Sequence, residues 1–491
     1  MMQNKPWLNL FLCMSLAGIF GCSEEMVSPA SYDQPVVEQG EADKQISDLA
    51  KKCPDYPTNY SFHEIKDPLA EQNQAFRLQD QESPEVGDCW MEPQLGTIIR
   101  RVTSIDGING RHEYSRIDAF NADHSMVLLI TDEGTQKVYR TNILPYNQPG
   151  NLVMEISATE PRWDPQDPHR IWAINAFQIV TIDVEKGMVE VIKDFAKDEI
   201  LKPILSRISA YRVTSMDEGE TSLDKRYWAL AIQGNEDEDY RYLRLFVWDK
   251  ENDAILGIYP DNRSLKRTES ELDWIGMSPL GNWVVIGAMD TNQGEITGLT
   301  LADKGLRQFH RLDFTTAHAD TGLDCKGNEV IIMQSTQTDT IDMIPLSMSS
   351  QPVTEPGGSE EGTGRTPLVR LYYDSNSPNG LNSGVHISCN SPCYCVISTT
   401  IAPGLPEQNW LDRSLILVKL IPDHPRAFYL AKLHNTTSEE PRVYWDETQA
   451  SITSDGSKII WADNWGKHVG QDEIFLLEML MPDRWQERIV E

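Results

Sequence analysis

In the stretch HADTGLDCKGNEV, residues 318–330, His318 and Cys325 stand seven positions apart. Imidazole nitrogen and thiolate sulfur are the donors that zinc prefers, so the pair reads as half of a metal site. The same residues also read as the tight turn that starts a β-strand, because Asp324, Gly327 and Asn328 are turn formers and an apolar run follows. Cys325 has a third reading, a disulfide to one of the later cysteines. Signatures of other chemistries are missing: the chain has no G-x-S-x-G elbow, no H-E-x-x-H helix, no P-loop and no dinucleotide fingerprint. DKENDA and NEDEDY are acidic turns that lack the glycine and the closing glutamate of a calcium loop.

Whatever positions these side chains must be large. The chain has 491 residues, 40% of them hydrophobic, with 13 tryptophans, enough for a single extended β-domain with a substantial core. Its 75 acidic and 43 basic residues give a formal charge of −32. Such a field repels phosphate backbones and anionic lipid surfaces, so no nucleic-acid partner is expected.

The first 21 residues carry one lysine and an apolar run too short for a membrane span, the pattern of an export signal. Ile19-Phe20-Gly21-Cys22 resembles the bacterial lipoprotein cleavage box. That resemblance implies a Cys22 acylated with palmitate-type chains and a protein anchored at the cell envelope. Ser23-Glu24-Glu25 lacks the aspartate of inner-membrane retention, which favours the outer membrane. Phe20 is uncommon in the box, so plain signal-peptidase cleavage is the alternative. Residues 22–50 read as an acidic tether, 51–95 as a leader and 96–491 as the folded domain. Beyond the signal and anchor, six cysteines remain: Cys53, Cys89, Cys325, Cys389, Cys393 and Cys395. An even number outside the cytoplasm suggests disulfides, with Cys53 to Cys89 the economical staple of the leader.

From about residue 100 helical periodicity disappears and one pattern recurs. A polar turn with Asp, Pro or Gly precedes a short apolar run in FNADHSMVLLITD, RWDPQDPHRIWAIN, TSLDKRYWALAIQ, GMSPLGNWVVIGA, GLDCKGNEVIIMQ, ISCNSPCYCVIST and SITSDGSKIIWAD. Seven small antiparallel sheets, each unable to bury both faces alone, can do so in a ring. The chain is therefore expected to be all-β, a seven-bladed β-propeller, with GTIIRRVTSI from Gly96 supplying a strand that closes the ring against the last blade. The turns Ser278-Pro279-Leu280-Gly281 and Ser454-Asp455-Gly456-Ser457 resemble those of TolB-like and WD-like bacterial propellers. Glu160-Pro161-Arg162-Trp163, His386-Ile387-Ser388, HADTGLDCKGNEV and DETQASITSDGSKIIWADNWG resemble the oligogalacturonate-lyase and ulvan-lyase propellers, over roughly residues 100 to 480.

That resemblance implies two sites. Histidines of late blades would converge on a metal near the channel, matched here by His318, Cys325, His386 and His434, with His468 in reserve; a closed shell of this kind would be structural zinc. The paired H-x-H of manganese-dependent lyases is absent, which argues against manganese. A uronate lyase must neutralise a carboxylate, remove the neighbouring proton and protonate the leaving oxygen, and His112, Tyr114 and Arg116 in RHEYSR are the candidates. The plain alternative is that Tyr114 packs and Arg116 pairs with an acid. A chain at −32 attracts a polyanion poorly, so the expected function is a binding or scaffolding module of the envelope that takes a protein or glycan ligand, with polysaccharide lyase as the competing reading.

Overall fold

The computed structural model describes residues 62–489 apart from 71–72, 80, 93, 106–109, 132–133, 290–293, 317, 351–363, 372–382, 402–406, 408, 423, 438–445, 467–473 and 483. The signal, Cys22, the tether, Cys53 and His468 lie outside the described residues.

Each of the seven quoted motifs folds as the hairpin that joins the first and second strands of a blade. In five of the seven an aspartate makes the turn: Asp123, Asp164, Asp224, Asp324 and Asp455 each accept the amide two residues on, at 2.8–3.0 Å. This Asx geometry offers the backbone a ready bend, after which β-branched and aromatic residues pack as strand. The innermost strands are Gly110–His112, Thr159–Trp163, Ala210–Thr214, Leu272–Met277, Ala319–Leu323, Ser383–Ser388 and Ser451–Ile452, for blades 1 to 7 in chain order. Successive antiparallel strands follow outward in each sheet.

The protein is a seven-bladed β-propeller. Ile98–Arg101 forms the outer strand of blade 7, antiparallel to Phe475–Leu480 with Ile99 opposite Met479 and Arg100 opposite Glu478. The segment from Gly96 thus closes the ring, and a buried network seals the joint. Arg100 contacts Glu478 at 2.6 Å, and the Tyr146 hydroxyl of blade 1 donates to the same carboxylate at 2.8 Å. The leader adds two further edge strands: His63–Ile65 lies on blade 6 and Cys89–Met91 on blade 7. Between blades the faces interlock in apolar clusters such as that of Trp172, Phe195, Trp228, Phe246 and Trp248 in blades 2 and 3. Stacking sheets face to face buries what one blade alone would expose. Among the described residues no helix is long and apolar enough to cross a membrane.

The cysteines fall on the blade 5–6 boundary. Cys325 is bonded to Cys393, joining the first turn of blade 5 to that of blade 6, and Cys389 is bonded to Cys395 across the blade 6 hairpin. Cys89 is also disulfide-bonded. A zinc thiolate at Cys325 is therefore corrected: its sulfur is spent in a covalent clamp, and the turn reading of HADTGLDCKGNEV holds, with Asp324 accepting from the Lys326 and Asn328 amides.

Candidate functional site

The channel is lined by the inner strands and by the residues that lead into or out of them. Blade 1 leaves its inner strand at His112 and continues through Tyr114 to Arg116; blade 5 begins with His318; blade 6 carries His386 in mid-strand. The ring brings these together across more than two hundred residues of chain. The Tyr114 hydroxyl and His318 Nδ1 share a hydrogen bond of 2.9 Å, its direction set by the imidazole tautomer. The rings of His318 and His386 lie 4.4 Å apart, and Tyr114 meets His386 edge-on at 5.6 Å. His386 Nε2 is hydrogen-bonded to the Glu447 carboxylate from the approach to blade 7. The sequence assigned Tyr114 to one site and the two histidines to another; they form one hub.

His112 is fully buried, and neither ring nitrogen has a hydrogen-bond partner. Burial, reinforced by the Arg111 charge, drives its pKa down to about 3, so the ring is neutral. With no exposed surface, His112 stands behind the channel wall beside His386, whereas Tyr114 reaches the hub. His434 stands apart from the hub. Its ring is stacked on Trp465 at 3.6 Å and 3°, and burial brings its pKa to about 3. Among the described residues no group of three or more His, Cys, Asp or Glu side chains is arranged to hold a metal. The four-donor zinc shell does not fit: Cys325 is oxidised, His434 faces Trp465, and His318 and His386 each give a ring nitrogen to Tyr114 or Glu447.

Arg116 is 3% exposed and extends under the hub. Its guanidinium lies 4.3 Å from the Trp274 ring centroid and contacts Glu218 at 3.2 Å, while Nη1 donates to the Glu218 carbonyl at 3.3 Å. Asp273 and Asp320 also act on it electrostatically. One cation cannot neutralise three carboxyls in a desolvated place, so protons are retained near neutrality. Burial, assisted by Asp273 and Asp217, lifts Glu218 to about 8, and burial lifts Asp320 to about 7.

A second arginine repeats the arrangement one blade on. Arg162 Nε donates to Glu220 at 2.6 Å and its Nη2 reaches the carbonyls of Asp217 and Gly219. Those carbonyls are presented by a strained loop, with Met216 at φ 67 and Asp217 at φ 64. The loop packs so tightly on blade 4 that a Cβ on Gly219 would lie 1.8 Å from the Ile275 carbonyl oxygen, which explains the glycine. Glu160 caps the other side, accepting from the Ser215 amide at 2.8 Å and from the Thr214 hydroxyl.

Sequence reasoning passed over Glu218, Glu220, Asp273, Asp320 and Glu447. The usable signal was SMDEGE, where a glycine among acids follows the innermost strand of blade 3 and leads to the hairpin into its second strand. Such runs ordinarily mark solvated turns.

No family model matches the chain, and no curated protein sequence matches it. Solved structures with a similar fold include an oligogalacturonate lyase from Vibrio parahaemolyticus, at 13% identity and TM-score 0.48 over 81% of this chain and 97% of that one. They also include the WD40 domain of Toxoplasma gondii coronin, at 9% identity and TM-score 0.44 over 86% and 90%. Likeness at this level concerns the ring alone; the chemistry rests on the side chains described above.

Proposed function

We propose that the protein is a lipid-anchored envelope module that binds or scaffolds a ligand at the propeller channel rather than turning it over. One observation carries the reading. Both channel arginines already hold carboxylates, Arg116 with Glu218 at 3.2 Å and Arg162 with Glu220 at 2.6 Å, while Asp217, Asp273 and Asp320 remain around them. Once Glu218 has ionised, above about pH 8, a uronate polymer meets a channel whose cations are taken; at lower pH the Arg162–Glu220 pair and the net charge of −32 still oppose it.

The competing reading, a lyase, is favoured by the Tyr114–His318 hydrogen bond. In β-elimination that pair would take the proton beside the uronate carboxylate and return it to the leaving oxygen, with Arg116 neutralising the carboxylate. Incubating the purified protein with polygalacturonate and ulvan, and following ultraviolet absorbance of the unsaturated product, separates the two. No turnover is expected. Turnover abolished by Tyr114→Phe would overturn the binding reading. The anchor has its own test: radiolabelled palmitate should enter the wild-type chain and not Cys22→Ala, and equal labelling would refute it.

A further inference from the structure

We infer that the outer rim of blades 2 and 3 is a protein-docking surface that takes an extended, acidic polypeptide as a fifth strand on blade 3. Large exposed apolar side chains concentrate here. Met188, Val189 and Val191 on the outer strand of blade 2, with Ile200 on the loop that follows it, are each between 50% and 60% exposed. Monomer surfaces seldom gather such residues without a partner.

The patch is continuous with a groove. Lys193 of the blade 2 edge bonds Asp198 at 2.8 Å and Asp253 at 2.6 Å, which ties the blade 2 rim to the loop carrying Ile200 and to the turn before the outer strand of blade 3, Ala254–Tyr259. A groove of about 460 Å³ runs along that strand, lined by Ile200, Ile255, Ile258, Arg263 and Arg307 among others. Its floor is backbone: a Cβ on Gly257 would lie 2.4 Å from the Gly305 carbonyl carbon, so two glycines meet there and keep the groove open to a main chain.

Two observations choose the occupant. Among the described residues, the outward edge of Ala254–Tyr259 pairs with no strand, whereas the edges of blades 6 and 7 are each covered by an added antiparallel strand from the leader. The rim of this ring therefore accepts strand addition, a mode in which main-chain hydrogen bonds give affinity and side-chain pockets give selectivity. Charge supplies the rest. Arg307 is exposed and, among the described residues, has no carboxylate at ion-pair distance, and Arg263 is 45% exposed beside it although it also contacts Glu269 at 3.1 Å. Asp261 also lines the groove and Glu269 already takes part of the Arg263 charge, so Arg307 is the cation that favours a partner with alternating apolar and acidic residues.

The test uses the full chain and two fluorescent pentapeptides, one alternating valine with glutamate and one valine with lysine, read by anisotropy and by hydrogen exchange. The glutamate peptide should bind, slow exchange of the amides in 254–259, and lose at least about tenfold in affinity in Arg307→Glu. Both Arg307→Glu and Ile200→Asp alter exposed side chains and should keep the wild-type melting temperature; Ile200→Asp should weaken binding as well. Equal binding of both peptides, or no slowing at 254–259, overturns the proposal. Slow exchange at 254–259 without peptide, together with no binding, would instead give the edge to the chain's own acidic tether. Sedimentation with phosphatidylglycerol vesicles but no peptide binding would make the rim a lipid contact, and would equally overturn it.

Discussion

Above about pH 8, where Glu218 is ionised, Glu218→Gln should tighten uronate binding at the channel. The Glu218 carboxylate lies 3.2 Å from the Arg116 guanidinium. Two unit charges at that distance attract by about 1 kcal/mol in a water-like dielectric and about 5 kcal/mol at an effective constant near 20. A ligand carboxylate has to displace that attraction, so neutralising Glu218 should gain at least the lower figure, roughly tenfold in affinity. The gain must depend on pH. Burial and the neighbouring Asp273 and Asp217 raise Glu218 to about 8, so below that value a proton does what the substitution does. Calorimetry with trigalacturonate at low ionic strength should show the variant binding about tenfold tighter near pH 9, with the two proteins converging near pH 6. Wild type binding as tightly as the variant near pH 9, or a gain unchanged near pH 6, would refute the view that Glu218 occupies Arg116.

The same carboxyls set a stability trend. Glu218 and Asp320 are raised by burial, so the folded chain keeps protons that the unfolded chain releases; their contribution is whole below the ordinary carboxylate range and is lost as pH rises toward 7 and 8. The melting temperature of Glu218→Gln should therefore exceed that of wild type at pH 8.5 and match it at low pH, and a constant difference would count against the assignment. Arg365, 1% exposed at its side chain, holds Asp313 at 2.7 Å and Asp342 at 2.9 Å; Arg365→Met strands two buried acids and should cost about 3–5 kcal/mol in urea unfolding, with a loss below about 1 kcal/mol contradicting this. Replacing Cys325 and Cys393 with alanine opens a 68-residue loop and should cost about 4 kcal/mol by the chain-entropy model, and an unchanged urea midpoint would argue against the inter-blade clamp. Chelator should leave the melting temperature unchanged, because the zinc donor set is lost to the disulfide and to Trp465; a fall of several degrees with stoichiometric zinc in the protein would restore a metal at His318 and His386.

The ring was legible because its signal is local and repeated. A polar turn of Asp, Ser, Pro or Gly makes a similar hairpin in each blade, with an aspartate accepting the amide two residues on in five of them, and the apolar run after it makes the strand, so seven hairpins could be counted from the pattern alone. Even the closing strand was visible, since an apolar run ahead of the first blade has few other places to pair. Convergence is a different kind of information. Tyr114 and His318 are 204 residues apart and meet only because blades 1 and 5 face one channel. Spacing alone therefore split one hub into a catalytic set and a metal set. For Cys325 the deciding contacts were backbone: the Cys393 amide donates to the Leu323 carbonyl at 2.8 Å, setting the two cysteines side by side where no thiol pattern could show it.

The acids were missed for a more general reason. Asp217, Glu218 and Glu220 look in sequence like any solvated turn, and the net charge of −32 gives each additional carboxylate the same bland meaning. Folding removes that equivalence. A carboxylate on the rim is screened within about 8–10 Å at physiological salt and changes little. One that faces Arg116 across a desolvated channel changes what the arginine can bind and at which pH, as the upward shift of Glu218 to about 8 indicates. On the binding reading, ligand preference is set less by how many charges the chain carries than by which of them sit against its buried arginines. Glu218 sits on a loop that Gly219 lets approach blade 4, and there it meets Arg116 at 3.2 Å.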